Sequence, residues 1–173
     1  LVYSNLHFLL NQEDEYFNKS RENFIYLINN YPYTKEYSES LLGLKLLYTS
    51  SGRHKEYFEY LKSKNININI SSQDSIVFSS VESLYFKKDY NKAISGFNEY
   101  ISDYQDGEFY LTALYYRAKS YLETDQIILA LHDFIKVIEL KSQYYNKSLL
   151  FAGDISFQLQ DYSSSLFYFL KLH

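Results

Sequence analysis

The 173-residue chain has no cysteine, no methionine, no tryptophan, one proline and five glycines. Without cysteine there is no disulfide framework, no thiolate zinc site and no cysteine nucleophile. So few glycines and prolines cannot supply the turns of an all-β sandwich, which come every eight to twelve residues or so. No sign of charge dominates: 17 Lys and Arg stand against 21 Asp and Glu, for a net charge of −4. The basic residues are interleaved with acids and form no stripe, so a nucleic-acid partner is not expected. No run reaches the roughly 18–20 apolar residues of a membrane helix, so no direct membrane insertion is expected. The start, Leu1–Leu10, has neither a basic region nor a small-residue cleavage site and does not read as a signal peptide. Because methionine is absent and the chain starts at Leu1, it is expected to be less than a whole translated product. What is abundant is aromatic: 21 Tyr and 13 Phe, in a chain 46% hydrophobic and 22% charged, which is a globular composition.

The aromatics are periodic. Ala93 and Phe97, four apart, recur as Ala130 and Phe134, as Ser165 and Phe169, as Ser20 and Phe24, and more poorly as Glu56 and Tyr60. The series Phe24, Tyr60, Phe97, Phe134, Phe169 has steps of 36, 37, 37 and 35, which marks five tandem units. Upstream of these lie Leu114-x2-Arg117-Ala118-x2-Tyr121 and Leu149-x2-Ala152-Gly153-x2-Ser156. Spacings of 3, 4 and 7 are helical, and a small residue lets a second helix come close. Each unit therefore predicts helix, tight turn, helix: 2–11 with 14–30, 34–50 with 53–63, 73–87 with 90–104, 109–123 with 126–140, and 144–159 with 162–172. As whole units these are 2–30, 34–63, 73–104, 109–140 and 144–172 of a single array over 1–173.

Punctuation agrees with this division. Pro32 ends a helix and Thr34 can cap the next. Gly52 sits at a turn, Ser71-x-x-Asp74 has the form of a capping box, and Asp89, Asp125 and Asp161 each precede a second helix. Asp106-Gly107 marks the turn before the fourth pair. The alternating stretch 64–72 predicts an extended connector, pinned by Ile66, Ile68 or Ile70 and able to act as a hinge.

A paired-helix unit of this length with Ala-x3-Phe and a following Pro resembles the tetratricopeptide repeat (TPR). The resemblance is carried by Leu114, Ala118, Tyr121, Ala130 and Phe134, supported by Leu149, Ala152, Gly153, Ser165, Phe169, Ala93, Phe97, Ser20, Phe24 and Pro32. The segments Phe24-x3-Ile28-Asn-Asn-Tyr-Pro32, Ser51-Gly52-Arg53, Asp89-Tyr90-x-Lys92-Ala93-Ile94 and Glu108-Phe109-x4-Leu114-Tyr-Tyr-Arg117-Ala118 are similar to large TPR proteins of Bacteroidetes. Those resemble periplasmic, outer-membrane-associated modules, which implies a bacterial envelope location, with a cytoplasmic one as the alternative. The unit after Gly52 departs from the pattern, with Glu56 where a small residue belongs. The resemblance implies an all-α, right-handed α-solenoid of about five antiparallel helix pairs. The apolar edges, Leu-Val-Tyr at the start and Leu-Phe-Tyr-Phe-Leu-Lys-Leu-His at the end, read as internal surfaces, so further repeats are expected at one or both ends.

Chemistry is sparse. His7, His54, His132 and His173 form no H-E-x-x-H and no pair four apart, so no helical zinc site is expected. His132 and Asp133 are sequence neighbours and point to different helix faces. There is no nucleophile elbow, P-loop or dinucleotide fingerprint. Asp103-x2-Asp106-Gly107-Glu108 is an acidic turn lacking the spacing of a calcium loop. No carboxylate pair suggests acid–base catalysis. The expectation is a protein that is not an enzyme and holds no cofactor and no metal.

By the repeat register, the inner face of the first helices carries Phe78, Glu82, Tyr85, Tyr115, Lys119, Leu150, Asp154 and Phe157. TPR arrays use that concave face to hold peptides or protein segments, and tyrosine offers a large contact area with a hydrogen-bonding tip. The competing reading of the same rings is packing between neighbouring repeats. Lys119 is the lone basic residue of that set, beside Glu82 and Asp154, which disfavours a clamp for a carboxylate tail. The expected function is a non-catalytic interaction scaffold for a protein or peptide partner. The alternatives are a structural spacer or self-assembly module, and an accessory domain of a larger enzyme or regulator.

Overall fold

Where the sequence predicts ten helices, the computed structural model, which describes residues 2–172 and the side chains of 13–172, has nine and no strand among the described residues. They are α1 (Val2–Asn30), α2 (Lys35–Ser50), α3 (His54–Ser63), α4 (Ile70–Phe86), α5 (Tyr90–Asp103), α6 (Tyr110–Glu123), α7 (Ile127–Glu139), α8 (Tyr145–Gln158) and α9 (Tyr162–Leu170). The missing break is the one expected between residues 11 and 14. Asn11, Gln12 and Glu13 hold no Gly or Pro to stop a helix, and α1 runs through them. His7 and His173 lie outside the residues described at side-chain level. The other helices begin and end within three residues of their expected bounds. The largest difference is at α4, where Asn69, not Ser71, is the cap: its side chain accepts from the Ser72 N–H at 2.8 Å. At α2 the cap is Thr34, whose hydroxyl accepts from the Tyr37 N–H at 3.2 Å.

The chain divides into two compact units, Leu1–Asn65 and Ile66–His173. The division falls inside the connector, which ends at Asn69 rather than at the expected Ser72; Ile66 and Ile68 in it are half-buried, and Ile70, exposed, already opens α4. In the first unit α2 packs along α1, and α3 touches α2. Phe17 and Tyr48 meet edge to face at 5.3 Å, and Tyr48 meets Tyr57 at 5.5 Å. In the second unit each helix packs on the next from α4 to α9, and α4 also contacts α6. Among the first helices, α4 thus adjoins α6, and α6 reaches α8 through Tyr115 and Lys119, whose side chains approach the Phe151 ring. The core is built on the repeat positions: Ala93, Phe97, Leu114, Ala118, Ala130, Phe134, Leu149 and Ala152 are fully buried. Each buried phenylalanine contributes about 2 kcal/mol. At Gly153 an added Cβ would lie 2.5 Å from the Phe169 ring, so the absent side chain is what seats that ring.

The repeat is most regular in its backbone. Gly52, Lys88, Asp125 and Gln160 all have positive φ (72°, 64°, 57° and 63°) at steps of 36, 37 and 35, within one residue of the steps of the aromatics Tyr60, Phe97, Phe134 and Phe169. After each, the next N–H donates back five residues: Arg53 to Tyr48, Asp89 to Leu84, Gln126 to Tyr121 and Asp161 to Ser156, at 2.8–2.9 Å. This is the left-handed helix stop that satisfies orphan carbonyls. Three residues separate the paired helices every time. Asp89 and Asp161 cap the following helix through their side chains, whereas Asp125 is itself the left-handed residue and Gln126 occupies the cap.

Candidate functional site

The eight residues assigned to an inner face separate into two groups. Phe78 and Tyr115 are buried, which corrects their assignment to a groove. Phe78 stacks on Phe109 at 4.6 Å and 10°, and Tyr115 stacks on Tyr144 at 4.2 Å and 9°. Phe109 and Tyr144 are the cap residues of α6 and α8, so the same ring stack recurs between successive helix pairs. The register column that holds Phe78 and Tyr115 points at the next pair, and the packing reading holds there. Leu150, in the same column, is 47% exposed.

The remaining residues reach the surface. Glu82, Tyr85 and Lys119 are half-buried; Asp154 and Phe157 are exposed. Around them the structure adds residues that the register did not select. Tyr116, half-buried on α6, lies 4.8 Å from Tyr85, 5.8 Å from Phe86 and 6.4 Å from Tyr144. Phe151 on α8 stacks on Phe134 at 4.9 Å, and the Lys119 ammonium lies 4.4 Å from its ring centroid. Tyr116 and Phe151 are 35 residues apart, a repeat step, so the spacing could have identified them as a column of their own.

Burial also shifts titratable groups on this face, as it does several tyrosines elsewhere. Burial raises the Glu82 carboxyl above the usual range. Burial, then the neighbours Tyr144, Glu82, Tyr85 and Tyr115, push the Tyr116 hydroxyl up to about 12. Tyr85 is raised by burial, then by Tyr90, Tyr115 and Glu123. The face therefore combines ring surface, hydroxyl tips, one embedded carboxylate and one ammonium held over a ring.

Other polar groups are consumed by structure. Asp133, only 1% exposed, accepts from Arg117 Nε and Nη2 at 2.7 Å each, and Arg117 Nη1 donates to Asn98 at 2.7 Å. Burial opposes the guanidinium charge, but the hydrogen bonds and charge of Asp133 outweigh it and raise the Arg117 pKa. His132 Nδ1 is 3.6 Å from Asp133 Oδ1 although its own side chain is 64% exposed, so the two neighbours do differ in burial. Asp74 accepts from the Tyr100 hydroxyl and, at 2.9 Å, from the Glu108 N–H, tying α4 to the loop before α6. An open cleft of about 610 Å³ lies beside it, lined by Ile70, Ser71 and the acidic turn at 102–108. Both Asp74 oxygens are already engaged there. Among the described residues no cluster of three His, Asp or Glu could hold a metal ion. No described helix is long and apolar enough to cross a membrane. No known protein-family model matches the chain, and no curated protein matches it.

Proposed function

We propose that the chain is a non-catalytic, TPR-like interaction scaffold that holds a peptide or protein segment against the face shared by α4, α6 and α8. The observation that carries this reading is the half-buried group of Tyr85, Tyr116 and Tyr144 around Glu82: ring surface and polar tips together, without a nucleophile, a metal cluster or an acid–base pair beside them among the described residues. Aromatic side chains with few rotamers give large contact area at low entropic cost, which suits recognition more than chemistry. The wording of the repeats, similar to Bacteroidetes envelope proteins, supports a periplasmic or outer-membrane-associated setting. The test is ring-proton NMR of the intact chain against a display-selected peptide. Shifts should concentrate on Tyr85, Tyr116 and Tyr144, and Tyr116→Leu should abolish binding while leaving helical circular dichroism unchanged. Shifts confined to other tyrosines would refute the reading.

One observation favours a second reading, self-assembly. Leu150, Phe157, Leu166, Phe167 and Leu170 are all exposed on α8 and α9. A patch of this kind marks an association surface. Light scattering over a concentration series decides it: a mass that stays monomeric removes this reading.

A further inference from the structure

Glu82 is a half-buried carboxylate with no ion pair and no hydrogen bond among the described residues. It lies three residues before Tyr85 and four before Phe86, the spacings that place side chains side by side on one helix face. Both rings reach across to Tyr116, and beyond Tyr116 stands Tyr144. The three ring pairs are inclined at 44°, 68° and 59°. Tyr116 also lies parallel to Phe97 at 6.4 Å and 14°, and Tyr144 to Tyr115 at 9°, so one face of each of these two rings is covered. Inclined rings leave part of their electron-rich faces uncovered, and such faces attract cations.

We propose that Glu82, Tyr85, Phe86, Tyr116 and Tyr144 form a pocket for one cationic side chain, a lysine or arginine, of the bound protein segment. This rests on the reading of the α4–α6–α8 face as a segment-binding surface and names the chemistry of what it takes. The argument for this occupant is charge complementarity. A carboxylate drawn partly out of water costs free energy until a cation and hydrogen bonds compensate it. Among the described residues no cation pairs with it: Lys119, the basic residue assigned to this face, is held over Phe151. An apolar or anionic occupant would leave Glu82 uncompensated. A lysine or arginine would neutralise it and lay its charge against the tyrosine faces. The Lys119–Phe151 contact is the chain's own instance of this chemistry on the same face.

The test begins with a random-sequence peptide display library panned on the intact chain. Selected peptides should be enriched in lysine or arginine flanked by apolar residues. By calorimetry, changing that basic residue to glutamine in the peptide, or Glu82→Gln in the protein, should each weaken binding about tenfold. Tyr116→Leu should abolish binding, Tyr116→Phe should leave it unchanged, and circular dichroism should show all three variants folded. If Tyr116→Leu abolishes binding while both charge removals leave it unchanged, the face binds segments but the cation assignment is wrong. If no selected peptide depends on Tyr116, the segment-binding reading fails and this one with it. Protection of the Tyr116 and Tyr144 rings on raising protein concentration alone would assign the face to a second copy and overturn the proposal.

Discussion

Both units set an arginine against an aspartate across two helical segments, and the two pairs are made differently. In the first unit Arg53, between α2 and α3, pairs with Asp14 on α1 and lies 4.0 Å over the Phe17 ring; the Asp14 side chain is 61% exposed. In the second, Arg117 grips Asp133 with two nitrogens in the core. The same contrast runs through the repeat slot. Ala93 and Ala130 are fully buried and let α5 and α7 close on their partners, whereas Glu56, in that slot of α3, is exposed. The two units therefore teach that the residue in the small slot decides whether a helix pair closes. Where it closes, the buried charge is paired, as Asp133 is by Arg117.

Exchanging the slot residues should break this contrast most sharply. Ala130→Glu forces a carboxylate into a packed interface and should cost more than about 4 kcal/mol, enough to unfold the second unit in a denaturant titration. Glu56→Ala should change stability by no more than about 0.5 kcal/mol, because that side chain is exposed and its contact is a long ion pair to Arg53 at 3.9 Å. An equal cost at both sites would remove the distinction. The ion pairs come next. Asp133→Ala strands a buried guanidinium and should cost about 3–5 kcal/mol, against about 0–1 for Asp14→Ala, both measured by urea unfolding.

The turn residues give a smaller effect of opposite sign in the two units. Lys88→Gly and Gln160→Gly relieve side chains held at positive φ and should stabilise by about 0.5–1 kcal/mol, while Gly52→Ala should lose about 1 kcal/mol. Thermal melts of the three variants check this. The finest test concerns Glu82. Its folded pKa is raised above the unfolded value, so the native state binds the proton more tightly and stability falls as pH rises through the folded pKa. Glu82→Gln should accordingly be the more stable form at neutral pH. The gap should close as pH falls through the folded pKa to the ordinary carboxylate range. A gap that widens on acidification would show Glu82 stabilised as the anion.

Sequence periodicity reached the helices because small residues, aromatics and caps repeat with the backbone. It failed at residues 11–14, where nothing in the residues stops a helix and only tertiary packing could have imposed a turn. On the site, register placed Glu82, Tyr85 and Lys119 at a surface. It misassigned Phe78 and Tyr115 by one residue's rotation, about 100°, because an aromatic column facing the next repeat looks in sequence like one facing a ligand. Tyr116 sat beside the chosen column, and Tyr144, expected as the first residue of a helix, is the cap before α8, outside the helical spacing that defines a column. The sequence offers Asp74 as part of a capping box and Asp133 only as the neighbour of His132, since their partners Tyr100 and Arg117 lie on other helices.

The left-handed turn inside each helix pair constrains how this chain can change length. Three residues and two hydrogen bonds close each of those connections, so a single inserted residue would leave a helix end unsatisfied and rotate the second helix off its partner. The connection between pairs at 140–144 lacks that closed ring of bonds across its two helices. Insertions and epitope tags therefore belong at 140–144, and not in the connection before α6, where Glu108 and Phe109 donate to Asp74 and Tyr100.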